Sequence, residues 1–332
     1  MTTNEMARAV LFHETGGPEV LRLENVQIGD PGRGEVRIRI DAIGLNRAEA
    51  LFRSGAYWLS PDLPSSRLGH EAAGVVEAAG EDVHHLKPGD PISTVTIGDM
   101  SAHGVYGDRV IVPASEVIER PAGIDAVTGA ATWLAYTTAY GALVEVGRLR
   151  PGATVLITAA AGAVGIAAIR IAKHLGAIPI ATTRDETKHA QLAELGAAHV
   201  VPADHVLKEV QTLTGGRGAA LVLDAIAGPG LETLAQVVAP DGTLIVTSNL
   251  DPSPTPLPWT WPLDLRKYAN PMFYGADPAR MERARRFITA GLDTGAFAPV
   301  IDRTFDLTEI VEAHRHLDSN AHVGKVVVEV RH

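Results

Sequence analysis

Residues 151–188 read PGATVLITAAAGAVGIAAIRIAKHLGAIPIATTRDETK, and the order of elements in this stretch decides the fold. Residues 154–158 are apolar and β-branched without polar alternation, the pattern of a strand buried on both faces of a parallel sheet. The run breaks at Ala160-Ala161-Gly162-Ala163-Val164-Gly165, and an apolar helical pattern then continues to Leu175, with Gly176 as its stop. Residues 177–183 predict a second strand, and Pro179 inside it predicts a late start, because proline cannot donate to a ladder. Strand, small-residue turn, helix and strand form the unit that seats a dinucleotide pyrophosphate on a helix N-terminus, where free N–H groups and the helix dipole favour an anion. Of the usual G-x-G-x-x-G, Ala160 fills the first glycine position while Gly162 and Gly165 keep the other two. Gly162, Ala163, Val164 and Gly165 are therefore the predicted pyrophosphate contacts.

The end of the second strand selects the cofactor. A free ribose 2′-hydroxyl usually meets an acidic residue roughly 20 positions past the glycines, whereas a 2′-phosphate needs positive charge. Here the neighbourhood reads Thr182-Thr183-Arg184-Asp185-Glu186-Thr187-Lys188. With Thr183 and Arg184 at the tip, the guanidinium forks onto the phosphate and Lys188 adds a second charge, which selects NADPH. A shift of one residue would put Asp185 there and favour NADH.

Working outward, 332 residues exceed one ordinary core and predict two domains. A net charge of -10, with no dense Lys/Arg run, argues against a nucleic-acid surface. No apolar run approaches the ~20 residues of a spanning helix, and MTTNEMARAV lacks a signal-peptide core, so a soluble cytoplasmic protein without membrane association is expected. With no cysteine, disulfides, thiolate zinc sites and cysteine nucleophiles are all excluded.

From residue 6 to about 125 the pattern is short strands (7–12, 20–24, 35–40, 74–79, 109–112) and Gly/Pro turns, an all-β or α+β module. From about 126 helices and strands alternate, with further buried strands at 221–225 and 243–247 flanking a helix at 230–238. That alternation means a doubly wound parallel sheet, with ligand at the strand C-termini near Ala225, Ile226, Ser248 and Asn249. Residues 251–262 are proline-rich, with Trp259 and Trp261 interleaved, and read as a connector. A helix at 281–292, a segment at 310–317 and a strand at 325–330 close the chain.

Nearly the whole chain resembles the medium-chain dehydrogenase/reductase superfamily, in its zinc-independent, quinone-oxidoreductase-like branch. The resemblance is carried by Gly16-Gly17-Pro18-Glu19-Val20-Leu21, Gly44-Leu45-Asn46-Arg47-Ala48-Glu49, Arg53-Ser54-Gly55-Ala56-Tyr57, Tyr136-Thr137-Thr138-Ala139-Tyr140-Gly141, the turn at 160–165 and Val323-Gly324-Lys325-Val326-Val327-Val328. It implies a Rossmann cofactor domain at 128–265, enclosed by a GroES-like, β-rich catalytic domain made of 1–127 and 266–332. It also implies a homodimer or larger homo-oligomer. Residues matching the family's motifs are Tyr57, a donor to the substrate oxygen; Asn46, polarising that oxygen or orienting the nicotinamide carboxamide; and Thr138, touching the nicotinamide. The residues alone leave plainer readings open, with Tyr57 capping an apolar loop, Asn46 bonding a turn and Thr138 bonding its own helix.

Gly69-His70-Glu71-Ala72-Ala73-Gly74 pulls the other way, since it resembles the signature of zinc alcohol dehydrogenases, in which the histidine is a metal ligand. The cysteine ligands of those enzymes align with Asn46 and about Leu134, and their proton relay with Ala48 and Leu51. Catalytic zinc takes three protein ligands, and His70 alone survives, so no metal is expected. His70 is read as a cleft residue bonded to Glu71 or to substrate, or as a structural histidine. Without a Lewis acid, a simple ketone is a poor acceptor, whereas a quinone or conjugated enone spreads the incoming charge. NADPH-dependent reduction of such a small molecule is the leading expectation. An alcohol dehydrogenase or carbonyl reductase, a tailoring enoyl reductase and a non-enzymatic NADPH-binding protein are its rivals. Specificity is expected in the loops 57–68, 96–106 and 252–274.

Overall fold

The computed structural model describes residues 5–332, whose strands in chain order are β1 (Glu5–Leu11), β2 (Arg22–Ile28), β3 (Glu35–Gly44), β4 (Glu71–Ala79), β5 (Pro91–Thr94), β6 (Arg109–Pro113), β7 (Val117–Glu119), β8 (Thr154–Ile157), β9 (Ile178–Thr183), β10 (His199–Pro202), β11 (Ala219–Asp224), β12 (Val238–Val246), β13 (Asp264–Lys267), β14 (Ile301–Asp306) and β15 (Lys325–Glu329). They belong to two units, one of residues up to Leu134 together with Pro299–His332, the other Ala135–Ala298.

The first unit is the β-rich module. Its larger sheet runs β14-β15-β3-β4-β5-β7, with β6 also pairing β3, while β1 and β2 form a separate antiparallel ribbon. Alternation along β3 sends Val36, Ile38 and Ile40 into a core shared with Phe12, Phe52, Leu68 and Tyr106. Each fully buried side chain of this size stabilises the fold by about 1.5–3 kcal/mol. The C-terminal tail completes the sheet, since β15 pairs antiparallel with β3 through Val327↔Gly44, Val328↔Ile43 and Glu329↔Ala42. Gly44 has to be glycine at this junction, because a Cβ there would lie 1.9 Å from the Ala130 carbonyl oxygen.

The second unit is a wholly parallel sheet in the order β10-β9-β8-β11-β12-β13. The helix Ala163–His174 connects β8 to β9 and ends at Gly176, which takes the left-handed φ of 74°. β9 begins at Ile178, so Pro179 does not delay it. Pro179 precedes the first β9–β10 pair, Ile180↔His199, so no ladder bond is lost at the proline.

Unit boundaries fall at 134/135 and 298/299, in place of the predicted 127/128 and 265/266. The second difference has a clear cause. β13 extends the parallel sheet by pairing with β12 from Thr243↔Asp264 to Val246↔Lys267. The helix Pro278–Asp293 then packs within the same unit, where Phe287 meets Tyr140 and Phe297 with ring centroids 5.0 and 5.2 Å apart. The connector 251–262 is irregular and leaves Trp259 and Trp261 more than 80% exposed, at 83% and 81%. Among the described residues no helix is long and apolar enough to cross a membrane.

Candidate active site

In the parallel sheet β8 and β11 are neighbours although β9 and β10 intervene in sequence, so the strand order reverses between them. Ligands of open α/β sheets bind beyond the strand C-termini at such a switch point. Thr158 and Asp224 join the two strand ends there, the Thr158 hydroxyl donating to Asp224 Oδ1 at 2.7 Å. Asp224 is fully buried and also accepts the N–H groups of Ile226, at 3.1 Å, and Ala227, at 2.7 Å; Ala225 N–H donates to Thr158 Oγ1 at 3.0 Å. The turn carrying Ala225 and Ile226 is thus moulded around one carboxylate. Asp224 is a residue that sequence reasoning passed over, although an acid closing the apolar run Leu221-Val222-Leu223 was its visible signal. Thr247 N–H donates to the Asp224 carbonyl at 2.7 Å, which sets Ser248 and Asn249 at the adjoining tip of β12.

The turn after β8 has the geometry of an anion seat. Gly162 is the N-cap of the helix Ala163–His174, and the helical ladder opens with Ile166 N–H donating to Gly162 O at 2.9 Å. The N–H groups of Ala163, Val164 and Gly165 therefore precede the ladder, at the positive end of the helix dipole. A Cβ on Gly165 would stand 2.6 Å from Ala160 Cα and 2.7 Å from its oxygen, so this glycine permits the close helix–strand approach. A Cβ on Gly162 would meet only Ala159 O, at 3.4 Å, so there is room for a group to approach the backbone. This seat fits a dinucleotide pyrophosphate.

At the neighbouring tip, β9 ends at Thr183, and exposed Arg184 is the first residue beyond it. Asp185 caps its own turn: Oδ1 accepts from Thr187 N–H at 3.0 Å and from the Thr187 hydroxyl at 2.6 Å. These bonds, the hydroxyl's first, hold its carboxyl below the usual range. Lys188 closes the same turn and is buried. The predicted residues Gly162, Ala163, Val164, Gly165, Thr183, Arg184, Lys188, Ala225, Ile226, Ser248 and Asn249 thus share the C-terminal edge of one sheet. Thr138 stands elsewhere in this unit, in the helix Trp133–Tyr140, where its hydroxyl accepts from Asn270 Nδ2 at 2.8 Å. The same nitrogen donates to Thr137 Oγ1 at 2.8 Å, so Asn270 orients both threonines.

In the first unit the predicted residues meet in a buried polar cluster. Lys325, 1% exposed, donates from Nζ to Asn46 Oδ1 and to Glu71 Oε2, both at 2.5 Å. Asn46 is the N-cap of the helix Arg47–Ser54, and its Nδ2 donates to Gly44 O and Glu49 Oε1, both at 3.1 Å. Glu49 also accepts the N–H groups of Asn46, at 2.5 Å, and His70, at 3.0 Å. Burial pushes both carboxyls up, and the Lys325 ammonium opposes the rise. Both polar atoms of the Asn46 amide are engaged, Oδ1 with Lys325 and Nδ2 with Gly44 and Glu49, so the side chain anchors Lys325 against Glu49.

His70 bonds a backbone carbonyl and not Glu71. Its Nδ1 lies 2.6 Å from Ile97 O, and since a carbonyl only accepts, the proton is on Nδ1 and Nε2 keeps its lone pair. Burial lowers its pKa to about 4, so the ring is neutral at pH 7. Glu71 is not its partner, because that carboxylate takes Lys325 and the Leu134 N–H, the latter at 2.9 Å. The Tyr57 ring stands 6.3 Å from His70 and packs on Phe52 and Trp58. Burial raises the Tyr57 phenol above its ordinary value, which keeps it a proton donor at neutral pH. Tested as a zinc site, this donor set does not fit: Asn46 Oδ1 already holds an ammonium, Leu134 has no side-chain donor, and His70 offers one nitrogen.

Comparison with known proteins agrees with this architecture. Residues 32–122 match the alcohol dehydrogenase GroES-like domain family, and residues 163–290 match the zinc-binding dehydrogenase family. The quinone oxidoreductase of Pseudomonas aeruginosa is 32% identical over 97% of this chain and 99% of its own. A 2-haloacrylate reductase of a Burkholderia species is 28% identical over 97% of this chain and 99% of its own. The crystal structure of Escherichia coli quinone oxidoreductase complexed with NADPH matches with a TM-score of 0.90 and 27% identity, covering 97% of this chain and 100% of that one.

Proposed function

The chain belongs to the quinone oxidoreductase-like branch of the medium-chain dehydrogenase/reductase superfamily, and from that premise we propose that it is an NADPH-dependent, zinc-independent reductase of quinones or conjugated enones. The observation that carries the reading is the anion seat at Gly162–Gly165 beside the switch point, in a chain whose structural relative is solved with NADPH. Bound there, the cofactor would supply a hydride to an electron-poor carbon. The N–H groups of Ala163, Val164 and Gly165 hold the pyrophosphate. Arg184 and Lys188 bind the 2′-phosphate, since Asp185 is engaged in its own turn. Ala225, Ile226, Ser248 and Asn249 line the remaining edge, and Thr138 contacts the nicotinamide.

On the acceptor side Tyr57 donates a hydrogen bond to the oxygen on which charge develops. On an enone, a hydride from such a cofactor would reach the β-carbon and leave the displaced electron pair as an enolate, with the α-carbon then protonated from solvent. An enolate or hydroquinone anion is delocalised, so one or two donors suffice where a simple alkoxide would need a Lewis acid or a proton relay. Asn46 is a positioning residue in this scheme, and His70, neutral, presents an acceptor at Nε2. Two copies joined along the open edge of β13, beside exposed Trp259 and Trp261, form the proposed homodimer, to be checked by sedimentation equilibrium.

The test is a screen of quinones, enones, aldehydes and ketones with both cofactors, with metal quantified in the same preparation. Steady NADPH oxidation by a quinone or 2-alkenal, without stoichiometric metal, is expected. Stoichiometric zinc whose removal abolishes turnover would overturn the zinc-independent reading. Tight NADPH binding with no turnover on any acceptor would favour a non-enzymatic role.

A further inference from the structure

Among the described residues, the buried and half-buried arginines of the first unit lie beside carboxylates, Arg67 excepted. Arg53 reaches Asp318 at 2.8 Å, Arg37 lies among Glu5, Asp30 and Glu77, and Arg120, with two orphaned nitrogens, still feels Asp41 and Asp125. Among the described residues the half-buried Arg67 guanidinium has no hydrogen-bond or ion-pair partner, its Nη1 alone of the three nitrogens is both buried and orphaned, and burial alone accounts for its lowered pKa. A guanidinium turned partly away from water without a counter-charge is costly, and such an orphan calls for an explanation.

The backbone that carries it is rigidly held. Phe12 and Ser66 exchange both backbone hydrogen bonds at 3.1 Å, Ser66 Oγ donates to Ser101 Oγ at 3.0 Å, and Arg67 N–H donates to Ser101 O at 3.3 Å. Ser65, two residues earlier, is held at φ 74°, a left-handed conformation that a non-glycine residue keeps only where its surroundings impose it. These bonds knit loop 57–68, which begins at Tyr57, to loop 96–106. Both are loops in which specificity is expected, and the backbone from which the Arg67 side chain springs is set before any ligand arrives.

We propose that Arg67 anchors a carboxylate of the acceptor, so that the substrate is an enone or quinone bearing an anionic carboxylate, held bidentately by the guanidinium. This rests on the reductase reading above. (E)-4-Oxopent-2-enoate and its methyl ester present one enone with and without the charge. The wild-type kcat/KM should favour the acid about 30-fold. Arg67→Met should bring that ratio near one through the KM of the acid, and Arg67→Lys should retain part of it.

Equal use of acid and ester by the wild type, or an Arg67→Met variant that slows both alike, would overturn the proposal. So would a raised KM for NADPH with both acceptors, which would assign the guanidinium to cofactor phosphate, or a loss of oligomer, which would assign it to an acid of a second copy. Should Arg67→Met not fold, the wild-type ratio and Arg67→Lys decide. Should neither compound be reduced, the reductase reading fails separately, and calorimetric titration with saturated 4-oxopentanoate still tests the anchor. Binding about tenfold weaker in Arg67→Met, or in Arg67→Lys if only that variant folds, supports it; equal affinity overturns it.

Discussion

The strand tips of the second unit and the polar cluster of the first solve opposite problems. At the tips, Asp224 shapes the turns from behind, and the N–H groups of Ala163, Val164 and Gly165 remain ahead of the helical ladder. In the first unit, Asn46, Glu71 and Lys325 are engaged with one another. The groups left ahead of the ladder are backbone N–H groups that have little chemical identity in the sequence, while side chains of the cluster that look reactive hold a loop and a helix start in place. The contrast also separates two kinds of mutational cost, loss of a ligand seat and exposure of an unmatched buried charge.

The sharpest way to break the comparison is Gly165→Val. Any Cβ there lies 2.6 Å from Ala160 Cα, so the helix has to leave the strand, and NADPH binding should be abolished by fluorescence titration. Binding at wild-type affinity would show that the seat lies elsewhere. Next in size, Lys325→Met strands the buried Glu71 and should cost about 3–5 kcal/mol in urea unfolding. Adding Glu71→Gln should recover part of the loss; no recovery would mean that the pair is not the unit of stability. Arg184→Asp should weaken NADPH about 10–100-fold while leaving NADH nearly untouched, read from the KM of each cofactor. Unchanged cofactor preference would remove Arg184 from the site.

The smallest effect at any one pH comes from buried histidine. His70 and His314 are fully buried, with pKa lowered to about 4 and about 3, chiefly by desolvation. Below pH ~6.5 the unfolded chain binds protons that the folded chain refuses, so this stability is whole above 6.5 and is lost as pH falls toward 4 and 3. Between pH 6.5 and 5.5 the loss is about 1 kcal/mol per histidine. The raised carboxyls of Glu49 and Glu71 act in the opposite sense. His314→Gln should therefore flatten the pH dependence of urea midpoints, and an unaltered slope would exclude His314 as its source.

Much of the second unit was legible because its signals are local. A β-branched run, small residues at fixed offsets and a terminal glycine all lie between Thr154 and Gly176, and the helix began and ended where they point. The strand tip at Thr183 was equally readable, although Pro179 suggested a late start; its effect depended on where β10 begins, which is a property of the neighbouring strand. The unit boundary at 298/299 was not legible because β13 is four residues of mostly polar sequence whose membership is fixed by pairing alone. Asn46 was the hardest to read. Its fate depends on Lys325, 279 positions away, and on Glu49, whose role in a helix cap hides its role in the cluster. Asn270 escaped notice for the same reason, 132 positions from Thr138.

The exposed tryptophans of the proline-rich connector bear on how this protein can be watched. Trp259 and Trp261 are 83% and 81% exposed and Trp58 is 53% exposed, against 1% for Trp133. Three of the four indoles are already solvated in the single chain, so emission of the folded protomer should lie toward the red and yield readily to iodide quenching. Unfolding will then move the emission maximum little, and a wavelength-based melt will understate the transition. Near-ultraviolet dichroism, to which the immobilised Trp133 contributes most strongly, is the better optical measure of the folded fraction.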